Sequence, residues 1–234
     1  RIGAFLDATD PAAAPLGSLN TVRNDGGRLT GYSTDGYGLA TAIREAFAIE
    51  VPGRAFAFLG CGGAARATAL HFALGGAREL LLINRTRDKA EALTRQIAES
   101  AKGCRTHVLS PGDLPAIRAA LAGCDVLVQA TSLGLRAGDP LPLPAGGLPA
   151  GLRVMDMICR HTPFLEAAGA AGCVTADGRA MLLHQGARSF SIWTGREAPL
   201  AAMRAALDAA LAASSGGTPH APAVRPERPS ANAD

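Results

Sequence analysis

Several absences narrow the reading of this 234-residue chain. No uninterrupted apolar run approaches the ~18 residues of a membrane span, so neither a membrane helix nor a membrane partner is expected. No C-x-x-C pair occurs. The five cysteines (Cys61, Cys104, Cys124, Cys159 and Cys173) are odd in number and scattered, which argues against a disulfide framework and against a metal site. They fit small apolar fillers in a reducing compartment. Charge of one sign is also lacking: 23 basic residues stand against 20 acidic, too even for a nucleic-acid partner. There is no internal repeat, and the first residue is Arg1 with no basic-then-apolar leader behind it. What is present is an apolar fraction of 48%, enough to bury a core at this length. A cytoplasmic enzyme is the expectation, with the sequence beginning part-way into a longer product.

Along the chain, Asn24-Asp25-Gly26-Gly27 is a hairpin turn signal between Thr21–Arg23 and Arg28–Thr30. Helical spacing of Leu39, Ile43, Ala46 and Phe47 predicts a helix from Tyr37 to Ile49. Short apolar runs at Ala55–Leu59, Glu79–Ile83, Thr106–Leu109, Val126–Gln129 and Arg153–Met157 have the form of strands buried on both faces. Helical patterns at 64–74, 87–100, 114–122 and 162–171 alternate with them. That alternation predicts a doubly wound parallel α/β sheet. The proline-bearing stretch 136–151 is expected to be a surface loop. Helices near 181–193 and through Leu200, Met203, Leu207 and Leu211 follow, and 214–234 has the composition of a disordered tail.

Gly60-Cys61-Gly62-Gly63-Ala64-Ala65 follows a buried strand and opens a helix, the place of a dinucleotide fingerprint. Gly60 permits the tight turn, Gly62 lets a pyrophosphate approach the backbone, and Ala65 stands in for the third glycine. The amides at the helix start would hold the phosphates. The next strand ends in Asn84-Arg85-Thr86-Arg87, with Lys89 close behind, where an NAD site would place an acid. A carboxylate there would repel a 2′-phosphate, whereas the Arg85 guanidinium can pair with one. NADP(H) is therefore the expected cofactor.

Three polar segments lack a packing reason: Gly17-Ser18-Leu19-Asn20-Thr21, Ser33-Thr34-Asp35-Gly36-Tyr37-Gly38 and His184-Gln185-Gly186-Ala187. Taken singly, Asn20 is a turn former, Asp35 a helix cap and Gln185 an exposed helix residue. Taken in order with the glycine turn, N-R-T at 84–86, A-T-S-L-G-L at 130–135, D-G-R-A-M-L-L-H-Q-G-A at 177–187 and I-W-T-G at 192–195, they resemble the shikimate dehydrogenase family. The resemblance spans about residues 1–213. It implies a Rossmann-type NADP-dependent oxidoreductase of aromatic biosynthesis that interconverts 3-dehydroshikimate and shikimate, as a monomer or homodimer. By motif position, Asn20 and Gln185 would bind substrate, and Asp35 would bind it and form half of a catalytic Lys–Asp pair. Gly60, Cys61, Gly62, Gly63 and Ala64 would hold the pyrophosphate. Asn84, Arg85, Thr86 and Lys89 would hold the adenosine phosphate. Met157 and Gly178 would line the nicotinamide.

The chain also departs from the family's pattern. The family's catalytic lysine lies just upstream of the segment that begins at Arg1, and Lys89 and Lys102 cannot replace it. Ser33 stands where the family carries Asn. Cys159-Arg160-His161 replaces a longer stretch, with Cys159 at the position of a substrate-contacting tyrosine; His161 reads first as a surface turn residue and second as a partial substitute for that tyrosine. The implied organisation is a remnant of a substrate domain over 1–36, the NADP-binding domain over 37–184, returning helices over 185–213, and the tail. Two alternatives accompany this reading: a quinate/shikimate-type paralogue, and a noncatalytic NADP-binding paralogue.

Overall fold

In the computed structural model, which describes residues 2–215, the apolar runs assemble into two sheets of unequal size. The smaller has the order β1-β3-β2, from β1 (Ala8–Thr9), β2 (Thr21–Asp25) and β3 (Arg28–Tyr32). Strand β2 runs on through Asp25, so the hairpin turn is Gly26-Gly27 alone, with φ of 60° and 98°. Two successive positive φ values match the twist of the flanking strands and favour glycine at both places. Asn24 Oδ1 closes the turn by accepting from the Gly27 amide at 2.8 Å.

Helix α1 (Asp35–Phe47) begins two residues earlier than its periodicity suggests and ends where Ala48 turns left-handed at φ 55°. The larger sheet follows: β4 (Ala55–Leu59), α2 (Gly63–Leu74), β5 (Glu79–Ile83), α3 (Arg87–Ser100), β6 (Arg105–Leu109), α4 (Leu114–Leu121), β7 (Val126–Gln129), β8 (Arg153–Asp156), α5 (Pro163–Ala170) and β9 (Val174–Ala176). Its order is β6-β5-β4-β7-β8-β9, with every neighbour parallel. The chain starts at β4, winds outward through β5 and β6, then returns to the other side of β4. The crevice at that reversal, above the carboxyl ends of the strands, is where such sheets bind ligands.

Alternation along each strand feeds two cores. Phe56, Phe58, Leu80, Leu82 and Val128 face one, together with Leu70 and Phe72 of α2. Ala57, Leu59, Leu81, Ile83 and Leu127 face the other, against Ile117, Leu121, Phe164 and Leu165. Phe72 meets Phe56 edge-on at 4.8 Å between ring centroids. Leu143 and Leu148 anchor the proline-rich loop into the second core, which otherwise holds only a short 3-10 turn at Ala145–Gly147.

Helices α6 (Arg179–Thr194) and α7 (Leu200–Ser215) complete the described chain. Helix α6 lies against α1, and the contact is close because Gly38 has no side chain: a Cβ there would sit 2.8 Å from Gln185 Cβ and from the Met181 carbonyl. The expected domain boundaries at 36/37 and 184/185 both fall inside continuous helices, α1 and α6. Helix α7 carries Ser214 and Ser215, so the expected tail loses its first two residues to the helix, and 216–234 lies outside the described residues. Strands β1 and β9 were not expected. Each has two or three residues, too few to show a period, and Val174 of β9 is 54% exposed on the sheet edge.

Candidate active site: a dinucleotide groove and a polar cluster

The glycine turn leaves β4 through Gly60, whose φ of +99° is left-handed and whose amide donates to the Ile83 carbonyl at 2.8 Å. A Cβ at Gly60 would come within 2.9 Å of Thr131 Cγ2, so the turn is tight against the loop after β7. Gly62 and Gly63 differ: a Cβ on either would meet nothing within 4 Å, because both face an open groove. Gly62 caps α2 without any side-chain cap, which leaves first-turn amides and the positive end of the helix dipole for an anion. Asn84 fastens this turn to the end of β5. Its Oδ1 accepts from the Cys61 amide at 3.1 Å, and its Nδ2 donates to the Thr86 carbonyl at 2.6 Å. Burial pushes the Cys61 thiol up to about 11, so it stays uncharged at neutral pH.

The groove encloses about 740 Å³ and brings together Gly60–Ala64, Asn84–Thr86 and Lys89. Among the described residues, no carboxylate forms an ion pair with Arg85 or Lys89, so both cations stand available at the β5 end. Amides in the middle and unpaired cations at one end fit a dinucleotide bearing a 2′-phosphate. Thr131–Leu133, part of the A-T-S-L-G-L motif that the resemblance puts beside the cofactor, and Ser110–Gly112, which the sequence reading did not mark, complete the walls. Met157 and Gly178 are not among the lining residues. Met157 packs on the core and its amide donates to the Gln129 carbonyl at 3.0 Å. Gly178 caps α6, and a Cβ there would collide with the Met157 carbonyl, which gives this glycine a packing reason.

The second half of the site is held by side chains. Asn20, just before β2, donates through Nδ2 to Asp35 Oδ1 at 2.6 Å, to Thr34 Oγ1 at 2.9 Å and, more weakly, to Gln185 Oε1 at 3.4 Å. Its Oδ1 accepts from the Thr34 amide at 2.9 Å. Three segments up to 165 positions apart thus meet at one exposed amide. Thr34, not Asp35, is the residue that precedes α1; Asp35 is the first residue of the helix. Burial raises the Asp35 carboxyl above its ordinary value, against the lowering effect of the Asn20 hydrogen bond. Its Oδ2 accepts no hydrogen bond from the described residues.

Beneath these groups lies a buried hydroxyl layer that sequence reasoning missed. Ser189 Oγ is 2.7 Å from Thr21 Oγ1 and 3.2 Å from Thr34 Oγ1, and it donates to the Gln185 carbonyl at 3.0 Å. Thr21, Thr34 and Ser189 are all buried. A helix-interior serine four residues from Gln185 was the one available hint.

The loops after β7 and β8 are shaped by two wholly buried polar side chains, Gln129 and Asp156. Gln129 accepts from the Thr131 amide at 2.6 Å and donates to the Leu133 carbonyl at 3.0 Å. Asp156 accepts from the Ile158 amide at 3.0 Å and from Thr162 Oγ1 at 2.8 Å. Cys159 sits half-buried in the bend between them, with no recorded hydrogen bond to Asn20, Asp35 or Gln185 among the described residues. His161 is exposed and borders a separate polar cavity with Glu45, Asp177 and Arg204. The structure therefore gathers Asn20, Asp35 and Gln185, and it does not bring Cys159 or His161 into hydrogen bonding with them. Among the described residues no helix is long and apolar enough to cross a membrane, and no group of three His, Cys, Asp or Glu could hold a metal ion.

A doubly wound sheet with an uncapped glycine turn, in a chain that also holds a carboxylate in a polar cluster, has the form of a dinucleotide-dependent oxidoreductase. The family model described as shikimate / quinate 5-dehydrogenase matches residues 43–134, and that of the shikimate 5′-dehydrogenase C-terminal domain matches 178–207. A shikimate dehydrogenase (NADP(+)) of Symbiobacterium thermophilum is 42% identical over 212 residues, covering 89% of this chain and 71% of its own length. The chain belongs to the shikimate dehydrogenase family. A quinate/shikimate dehydrogenase of Escherichia coli is 37% identical, covering 84% of this chain and 70% of its own. The crystal structure of shikimate 5-dehydrogenase from Listeria monocytogenes, in complex with shikimate and NAD, superposes with a TM-score of 0.81 at 34% identity, covering 88% of this chain and 73% of that one.

Proposed function

We propose that this chain is the cofactor-binding and Asp35-bearing portion of an enzyme that carries out the NADP-dependent, reversible reduction of 3-dehydroshikimate to shikimate, in the cytoplasm and as a monomer or homodimer, with the lysine proton donor supplied by the segment upstream of Arg1. The observation that carries the reading is the convergence of Asn20, Asp35 and Gln185, in a chain that also forms a groove whose cationic end suits a 2′-phosphate. Bound NADPH would supply the hydride to the ring ketone. The residues do the rest. Reduction of a ketone leaves negative charge on its oxygen, which a positioned acid must neutralise. Asp35 has one oxygen fixed by Asn20 and the other open, which suits it to orient the proton donor and to hold a ring hydroxyl. In the family that donor is a lysine partnered with this aspartate. Gln185 Oε1 faces Asn20 and Thr34, and its Nε2 donates to the Leu182 carbonyl at 3.2 Å, leaving a second N–H for a substrate oxygen. Several fixed donors and acceptors are what a polyhydroxylated ring needs to bind in one orientation.

A second reading takes quinate as a further substrate, because the matched family model and the Escherichia coli relative both carry quinate in their names. The test is an absorbance assay of the product with its native upstream segment, using NADPH and 3-dehydroshikimate and run in reverse with shikimate and with quinate. Oxidation of NADPH dependent on 3-dehydroshikimate is the expected result. Cofactor binding without any such turnover would favour the noncatalytic alternative.

A further inference from the structure

The bend after β8 carries one side chain that neither the groove nor the polar cluster has used. Arg160 reaches across to the loop after β7, where its Nη2 donates to the carbonyls of Gly134 and Leu135 at 2.6 and 2.9 Å. From the other side, Asp139 Oδ2 accepts from the amides of Gly134 and Arg136 at 3.0 and 2.9 Å. Gly134 is thus gripped at both of its peptide groups, at a φ of +103° that only glycine adopts readily. Those amides hold the Asp139 carboxyl below its ordinary range, with Arg136 and Arg160 as further support, so the grip is intact at neutral pH.

The gripped loop is part of the groove: Thr131, Ser132, Leu133 and Leu135 form its wall on the β7 side. Strand order decides which half of a dinucleotide meets that wall. With the pyrophosphate on α2, the adenosine lies toward β5, where Arg85 and Lys89 stand, and the nicotinamide lies toward β7 and β8.

We propose that Arg160 is a positioning residue for the nicotinamide half of the cofactor, acting through the 132–135 loop rather than by touching the ligand. The proposal rests on the NADP reading above. It gives a role to the segment in which the sequence departs from the family's pattern, and the role falls on Arg160 rather than on Cys159.

The experiment compares two ligands that share the adenosine half: NADPH, and 2′-phospho-ADP-ribose, which lacks the nicotinamide. Dissociation constants are measured by titration for the wild type, Arg160→Ala and Arg160→Lys, with melting temperatures alongside. Arg160→Ala should weaken NADPH roughly tenfold, a change equivalent to ~1.4 kcal/mol. Its affinity for 2′-phospho-ADP-ribose should stay within twofold of wild type. Arg160→Lys, which keeps the charge without the planar fork, should fall between. Equal weakening of both ligands, or undiminished binding of NADPH, would overturn the proposal. A wild type that binds neither ligand would instead overturn the cofactor reading on which it depends. Should Arg160→Ala fail to fold, the ratio of the two affinities in Arg160→Lys decides.

Discussion

The two halves of the site are made of different material. The dinucleotide groove is built from backbone: glycines that keep space open, amides at a helix start, and one asparagine that ties two neighbouring turns. The substrate-side cluster is built from side chains, and its members come from β2, α1 and α6, joined by hydrogen bonds that span up to 168 positions. A backbone site needs only a local run of the right residues, so it survives changes elsewhere in the chain. A side-chain site depends on distant elements arriving together, and it fails when any one of them is displaced. The two should therefore be separable by mutation, and the cluster should be the more fragile.

The largest effect that would sharpen this contrast is expected at Asp35. Asp35→Asn keeps the size and the hydrogen bond to Asn20 but cannot hold a charge, and positioned acid–base groups contribute on the order of a hundredfold or more. In the full-length product, with the upstream lysine present, turnover should fall by at least that factor while the affinity for NADPH stays within about twofold, read from steady-state kinetics and titration. Stability should move the other way. Folding raises the Asp35 pKa, so the folded state favours the protonated form, and the stability this provides is complete at low pH and lost as pH rises through the folded value. Asparagine has no such loss, and the melting temperature of Asp35→Asn relative to wild type should climb with pH.

Next in size is Arg85→Ala, which touches only the backbone-built half. Losing a charge-assisted contact to the 2′-phosphate should cost ~2 kcal/mol, roughly thirtyfold in NADPH affinity, and should leave NADH binding unchanged. An undiminished preference for NADPH would remove Arg85 from that role. The smallest effect is expected from Ser189→Ala. Removing this hydroxyl leaves the buried Thr21 and Thr34 hydroxyls short of a partner, which should lower stability by about 1–3 kcal/mol in denaturant titration. It should also raise KM for shikimate more than KM for NADP, because Asn20 and Gln185 lose the layer beneath them.

The same contrast decides how much was legible beforehand. The five buried runs and the glycine turn carry their meaning in adjacent residues, and β4, β5, α3 and β7 fall within the bounds their patterns suggest. Asn20, Asp35 and Gln185 carry no such local meaning; each alone has an ordinary reading as a turn, a helix start or a helix surface. Only their order beside the other motifs marks them, and their meeting is a property of the α1–α6 crossing that Gly38 permits. Thr21, Thr34, Ser189, Gln129 and Asp156 stayed hidden because a buried polar residue looks like any other polar residue until the fold shows what surrounds it. Gly178 is a case in which a residue marked by its position in a motif also has a steric reason to be glycine, and the sequence alone does not separate the two.

The central claim is that cofactor and substrate are held by two independently built halves. The most direct test is a crossed titration of NADPH and shikimate against Arg85→Ala and Asp35→Asn. The account predicts that Arg85→Ala weakens NADPH alone and Asp35→Asn weakens shikimate alone. Loss of both ligands by either variant would contradict it.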